Sequence, residues 1–170
     1  MTHRTRNLTH AALIAALYAV LTHLQNLLLP GSASWAIQCR LSEILCVLAL
    51  FTPAAISGLS IGCLLFNLTF AASLPLDWLA GTGATFLAAA AMYALRNVRI
   101  KGYPLPAMVM PALTNAFLVG WELTVYIGGA FWLNALYVAL GELIVMLLPG
   151  SLLLHVLSKR GVARHLFRRR

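Results

Sequence analysis

The sequence predicts an all-α integral membrane protein: one bundle of six transmembrane helices with both termini in the cytoplasm. Composition is the first ground, with 61% hydrophobic and 9% charged residues and a mean hydropathy of +0.87, where a soluble domain carries roughly 25% charged residues. Length is the second. The 170 residues divide into six apolar runs joined by short connections, about 20 residues being needed to cross a ~30 Å hydrocarbon core, so residues 1–170 form a single membrane domain. Charge placement is the third: eleven of the twelve Lys and Arg lie in the two tails and one loop, whereas all four acidic side chains, Glu43, Asp77, Glu122 and Glu142, lie inside or at the edge of apolar runs.

The first run, about 8–29, is long enough to span and lacks a clear small-residue cleavage site, so it is expected to stay as a helix rather than be removed as a signal peptide. Its Ala11, Ala15 and Ala19 recur every four residues beside Ala12 and Ala16, a ridge that lets another helix approach closely. Alanine is also frequent elsewhere, as Ala84, Ala88 and Ala91 show. Pro30-Gly31-Ser32 ends the run. The second, 39–52, is short for a span, and a re-entrant segment is the alternative. Charge parity decides. Six crossings place Arg4 and Arg6, the loop residues Arg96, Arg99 and Lys101, and the basic tail 159–170 on one face, and five would set Arg4 and Arg6 against the rest; the positive-inside rule selects six. The third run, 54–73, follows Thr52-Pro53, the fourth, 76–95, follows Leu74-Pro75, and the fifth, 104–127, follows the basic loop. The sixth, 132–157, begins after Gly128-Gly129.

The formal charge of +8 thus reads as topology, not as a nucleic-acid surface. Cys39, Cys46 and Cys63 are odd in number and form no C-x-x-C pair, which points to buried free thiols and away from a disulfide framework or a zinc site. No metal or cofactor is expected.

Placed by depth, the polar residues gather in the outer half of the bundle. Arg40 and Glu43 sit one helical turn apart at the start of the second span. Asn67 lies near the end of the third, Asp77 at the start of the fourth, and Asn115 and Glu122, seven residues apart, nearly align on the fifth. Asn134 opens the sixth span and Glu142 lies nearer its middle. Each has a plainer role open to it: Arg40 and Glu43 as a structural ion pair, the asparagines as interhelical hydrogen-bonding groups, Asp77 as a helix cap, Glu142 as a partner to a neighbouring helix. Together, four carboxylates against one intramembrane arginine leave acceptors in excess, and an acidic group without a partner in low dielectric must take up a proton or meet a cationic, donor-rich ligand. Trp35, Trp78, Trp121, Tyr126 and Trp132 fall where an interfacial belt is expected. Trp78 beside Asp77 and Trp121 beside Glu122 also offer flat apolar faces next to acceptors, a combination suited to a planar heteroaromatic ligand. No phosphate-binding glycine loop is present, so energy for uphill transport by this chain must come from elsewhere.

From Ala11 to Gly150 the chain resembles the substrate-binding S components of energy-coupling factor transporters, specifically the QueT group associated with queuosine precursors. The residues that carry the resemblance are Gln38-Cys39-Arg40-Leu41-Ser42-Glu43, Gly58-Leu59-Ser60-Ile61-Gly62-Cys63 with Asn67, Leu76-Asp77 with Gly81 and Ala84-Thr85, Asn115 with Gly120 and Glu122, and Tyr137-Val138 with Gly141-Glu142-Leu143. The segment 30–38 departs from the family pattern. The resemblance implies a six-helix bundle in a bacterial inner membrane that captures a vitamin-like molecule on its outer side. It implies docking on a transmembrane coupling subunit bearing two ATP-binding cassette subunits, with Ala11, Ala15 and Ala19 as the docking ridge. The implied ligand is a 7-deazaguanine in its aminomethyl or cyano form, held among Arg40, Glu43, Asn67, Asp77, Trp78, Asn115, Trp121, Glu122, Asn134 and Glu142. Glu122 is assigned to the base edge, Glu43, Asp77 or Glu142 to the amine, and Arg40 to positioning Glu43 or donating to the carbonyl oxygen.

Two other classes compete. An ion-coupled secondary transporter usually shows an internal repeat with broken helices, and no convincing repeat is seen. A membrane enzyme working with paired carboxylates would have no histidine in the outer set beyond His23, since His3, His10, His155 and His165 lie toward the cytoplasmic side. The expectation is a binding subunit and not an enzyme.

Overall fold

The computed structural model describes residues 3–30 and 40–159 together with Val162 and Phe167. Trp35, Gln38, Cys39 and most of the basic tail lie outside the described residues, as does nearly all of the segment 30–38. Helices pack in chain order: α1 (His3–Leu28) on α2 (Ala54–Thr69), α2 on α3 (Pro75–Ala94), α3 on α4 (Leu105–Ile127), and α4 on α5 (Phe131–Val145). A π-helical turn, Met146–Gly150, carries α5 into α6 (Ser151–Lys159), and the helix-incompatible Pro149 lies within it. Among the described residues the only extended pairing is an isolated bridge between Ile100 and Tyr103. Three stretches, Arg4–Leu28, Leu105–Ile127 and Phe131–Lys159, are long and apolar enough to cross a membrane. Large apolar side chains such as Leu13, Leu17, Phe117 and Leu136 face outward, as expected of a bundle whose solvent is lipid.

The short second run forms neither an α-helix nor a peripheral hairpin. Leu41–Leu50 is a ten-residue 3-10 helix that touches every other helix of the bundle, so it is the axial element around which the others are arranged. At about 2.0 Å per residue it stretches to ~20 Å, where an α-helix would reach ~15 Å. With three residues per turn, Glu43, Cys46 and Ala49 fall on one line, and all three are fully buried.

α1 meets α2 through backbone-level contact. A Cβ at Gly58 would lie 2.8 Å from the Ala11 carbonyl oxygen, and one at Gly62 would lie 2.7 Å from that of Ala15. The four-residue spacing of glycines on α2 thus receives the four-residue spacing of alanines on α1, the small-residue packing that substitutes for a hydrophobic driving force in lipid. This corrects the expectation for Ala11, Ala15 and Ala19 as an outward docking ridge. Ala11 and Ala15 are buried inside the fold and Ala19 is half-buried. The small residues α1 turns outward are Ala12 and Ala16. A second close approach pairs Gly120 of α4 with Ala135 of α5, where a Cβ would come within 2.8 Å of the Ala135 Cα.

The ends of the helices sort the polar chemistry. The start of α1, the turn at 51–53, the end of α3 and the basic loop 96–103 share one end. Lys101 and Gly102 take positive φ angles of 50° and 82° there, the loop folds back through Ile100 and Tyr103, and the Tyr103 hydroxyl meets Ser151 Oγ at 2.6 Å. The other end holds Arg40, Asn67, Asp77 and the α4–α5 turn.

Replacing Gly62 by Val should force α1 and α2 apart. The expected loss is about 1–3 kcal/mol, read as a lower unfolding temperature in detergent, with the exposed Ala12→Val change as the near-neutral reference. Equal stability of the two variants would refute the close-packing assignment.

Candidate ligand-binding site

A cavity of about 400 Å³ opens at the end of the bundle away from the basic loop, between the start of the 3-10 helix and α2, α3 and α4. Arg40, Asn67, Asp77 and Glu122 line it, and Phe66, Phe70 and Tyr126 supply aromatic walls. The phenyl rings of Phe66, in the last turn of α2, and Phe70, the residue that caps its C-terminus, stack on each other with centroids 5.1 Å apart. His23 of α1 backs Phe66 edge-on at 4.9 Å.

Each polar lining residue is held by its element. Asn67 donates its side-chain amide to the Asp77 carbonyl oxygen at 2.8 Å, joining the end of α2 to the start of α3. One Asp77 carboxylate oxygen, Oδ2, accepts from the Leu74 backbone N–H at 2.7 Å and the Ser73 hydroxyl at 3.0 Å. Asp77 thus caps α3, whose first N–H groups have no intrahelical acceptor, while facing the cavity. Tyr126 at the end of α4 accepts from the Leu76 N–H at 2.8 Å. Glu122 is buried on α4 and is an electrostatic neighbour of both Asp77 and Arg40.

Beneath the cavity lies a second polar layer centred on Glu43. Its Oε1 accepts from the Tyr18 hydroxyl of α1 and from the Thr85 hydroxyl of α3 at 3.3 Å, and its Oε2 accepts from the Cys46 thiol at 3.0 Å. Thr85 also bonds the Gly81 carbonyl oxygen at 3.1 Å, and Gly81 lines the cavity, so the two layers adjoin through one turn of α3. Arg40 links them from the other side, with Nη1 3.9 Å from the Cys63 sulfur. Glu142 of α5 lies within electrostatic reach of Glu43 and Arg40. Its Oε2 is buried and has no hydrogen-bond partner among the described residues, a costly arrangement unless something else arrives to bond it. α1 also grips the start of the 3-10 helix, where Gln25 Oε1 accepts from the Leu41 N–H at 2.8 Å and Thr22 donates to the Ser42 hydroxyl at 2.7 Å.

The candidates therefore divide. Arg40, Asn67, Asp77 and Glu122 surround one cavity, with Glu43 and Glu142 behind it. Asn115 is buried about two turns of α4 below Glu122 and donates to the Pro111 carbonyl oxygen at 3.0 Å. Trp78, Trp121 and Asn134 stand apart. Trp78 and Trp121 are 38% and 48% exposed and do not line the cavity, because each neighbours an inward carboxylate in sequence and so points about 100° away around its helix. Asn134 donates to Thr124 Oγ1 and the Gly128 carbonyl oxygen, both at 3.1 Å, closing the α4–α5 turn in which Gly128 and Gly129 take positive φ. The sequence reading did not single out Tyr18, Phe66 or Phe70. The i, i+4 spacing of the two phenylalanines around Asn67 was the available signal for the aromatic wall. The buried free thiols Cys46 and Cys63 belong to the polar layer.

A family model described as QueT transporter matches residues 8–159. No curated protein matches, and no solved structure does.

Tyr18→Phe removes one donor to a buried carboxylate without changing shape. The expected destabilisation is about 1.5–3 kcal/mol, measured by thermal unfolding of the purified chain. An unchanged midpoint would mean that Tyr18 does not hold Glu43.

Proposed function

The chain belongs to the QueT transporter family, and on that premise we propose that it is the substrate-capturing S component of an energy-coupling factor importer, taking a 7-deazaguanine from the outer side of a bacterial inner membrane. The observation that carries this reading is the single cavity in which a guanidinium, two carboxylates and an amide meet beside aromatic walls. A guanine-like edge presents adjacent N–H donors that one carboxylate accepts as a pair, and it carries a carbonyl oxygen for a donor. We assign Glu122 to the paired donors and Arg40 to the carbonyl oxygen. Phe66 and Phe70 offer the apolar wall for the ring system. An aminomethyl substituent would bring a cation to the deeper layer, where the unpartnered Glu142 oxygen supports its assignment as the acceptor.

In this reading the bundle crosses the membrane six times with both termini in the cytoplasm, and the cavity opens outward. Delivery follows docking on a transmembrane coupling subunit that bears two ATP-binding cassette subunits. The outward Ala12 and Ala16 replace Ala11 and Ala15 as the small-residue face of α1 for that contact, because the latter are engaged by α2.

Calorimetric titration of the detergent-solubilised chain against a panel of purines and vitamins tests the assignment. A 7-deazaguanine should bind without ATP, and Glu122→Gln should weaken it by about tenfold or more, ~1.4 kcal/mol, with thermal unfolding unchanged. Undiminished affinity would remove Glu122 from the site. Heat from an unrelated vitamin alone would overturn the substrate class, and ion-dependent flux through the reconstituted lone chain would make it a secondary transporter instead. Glu142→Gln should penalise the aminomethyl form more than the cyano form; equal losses for both would dissociate Glu142 from the amine.

A further inference from the structure

The opposite end of the bundle holds a second cleft, of about 570 Å³, between the start of α1, the turn at 51–53 and the end of α3. Arg6, Asn7, His10, Thr52, Tyr93 and Arg96 give it a polar, basic wall, and Phe51, Pro53 and Phe167 close the remainder. The Arg96 guanidinium lies 4.0 Å over the Tyr93 ring and donates to the Tyr93 carbonyl oxygen at 2.6 Å. It is thus fixed at the rim, and a guanidinium carries five N–H donors in all. His10 packs edge-on to Phe167 at 5.3 Å. None of the four acidic side chains lines this cleft.

Directly beside it a groove of about 610 Å³ runs between α1 and α2, sharing Asn7 and Pro53 with the cleft. Leu8, Ala11, Pro53 and Ala54 form its apolar wall and Arg4 stands at its edge. A basic cleft continuous with an apolar groove at the end of a membrane bundle matches one kind of molecule: an anionic head joined to a hydrocarbon chain.

We propose that these adjoining cavities bind an anionic phospholipid, its phosphate between Arg6 and Arg96 and one acyl chain along the α1–α2 groove. Two guanidiniums suit a phosphate diester better than a zwitterionic headgroup, whose own ammonium they would repel. The groove distinguishes a lipid from free phosphate, which has nothing to place there. This site is independent of the ligand cavity and requires only that the chain be a membrane protein.

Native mass spectrometry of the full chain in detergent, offered phosphatidylglycerol or phosphatidylcholine of identical acyl chains, tests the proposal. Phosphatidylglycerol should be retained about tenfold more strongly or better. The double change Arg6→Gln with Arg96→Gln should reduce it to the phosphatidylcholine level, with helicity by circular dichroism preserved. Arg99→Gln with Lys101→Gln removes as much charge from the neighbouring loop and should leave retention unaltered. Equal retention of the two lipids by the parent chain would overturn the proposal whatever the variants do, as would an equal drop in the loop variant. Thermal stabilisation by inorganic phosphate matching that by phosphatidylglycerol would overturn the lipid assignment.

Discussion

The carboxylate of Glu43 is the constraint on which the rest of the bundle depends. It is fully buried on the axial 3-10 helix and takes donors from α1, α3 and its own helix, through Tyr18, Thr85 and Cys46. A buried carboxylate stripped of such donors costs several kcal/mol, so these helices can take only relative positions that keep the donors in place. The unusual length of the 3-10 helix follows the same logic. Its three-residue turn sets Cys46 directly over Glu43, and its extended rise lets ten residues run from the cavity floor toward the basic end.

Close backbone packing provides the complementary constraint. In lipid, apolar side chains gain little by meeting each other instead of acyl chains, so helix pairs hold through dense contact and polar bonds. Gly58 and Gly62 against Ala11 and Ala15, and Gly120 against Ala135, are the places where this bundle uses it. The α1–α2 contact brings Tyr18 within reach of Glu43, and the α4–α5 contact brings Glu142 to the same layer. Small residues buried between the helices and polar bonds on the axis therefore act on one geometry.

The two ends of the molecule carry opposite chemistry. Acidic and amide groups collect around one cavity, while Arg4, Arg6, Arg96 and Arg99 gather at the other end. Sequence reading anticipated this separation because it is a matter of depth, and depth follows from counting residues along apolar runs. It anticipated Arg40, Asn67, Asp77 and Glu122 at one level for the same reason. It did less well with direction around a helix. Trp78 and Trp121 follow the reasoning that placed Asp77 and Glu122, yet a single residue step rotates a side chain by about 100° and sends the indoles outward. The same single step buries Ala11 against α2 and leaves Ala12 exposed.

The sequence by itself determined that this chain is a helical membrane protein, which residues sit at which level, and that its few ionisable groups at depth demand partners, because hydropathy and the cost of buried charge act locally. Only the tertiary structure decided which face of each helix those groups occupy. It turned the alanine ridge inward onto two glycines, gave Phe66 and Phe70 the aromatic wall, and made the shortest apolar run the axis of the bundle. Those outcomes depend on which helix stands next to which, and adjacency is fixed by packing between segments distant in the chain, a quantity that no single stretch of sequence contains.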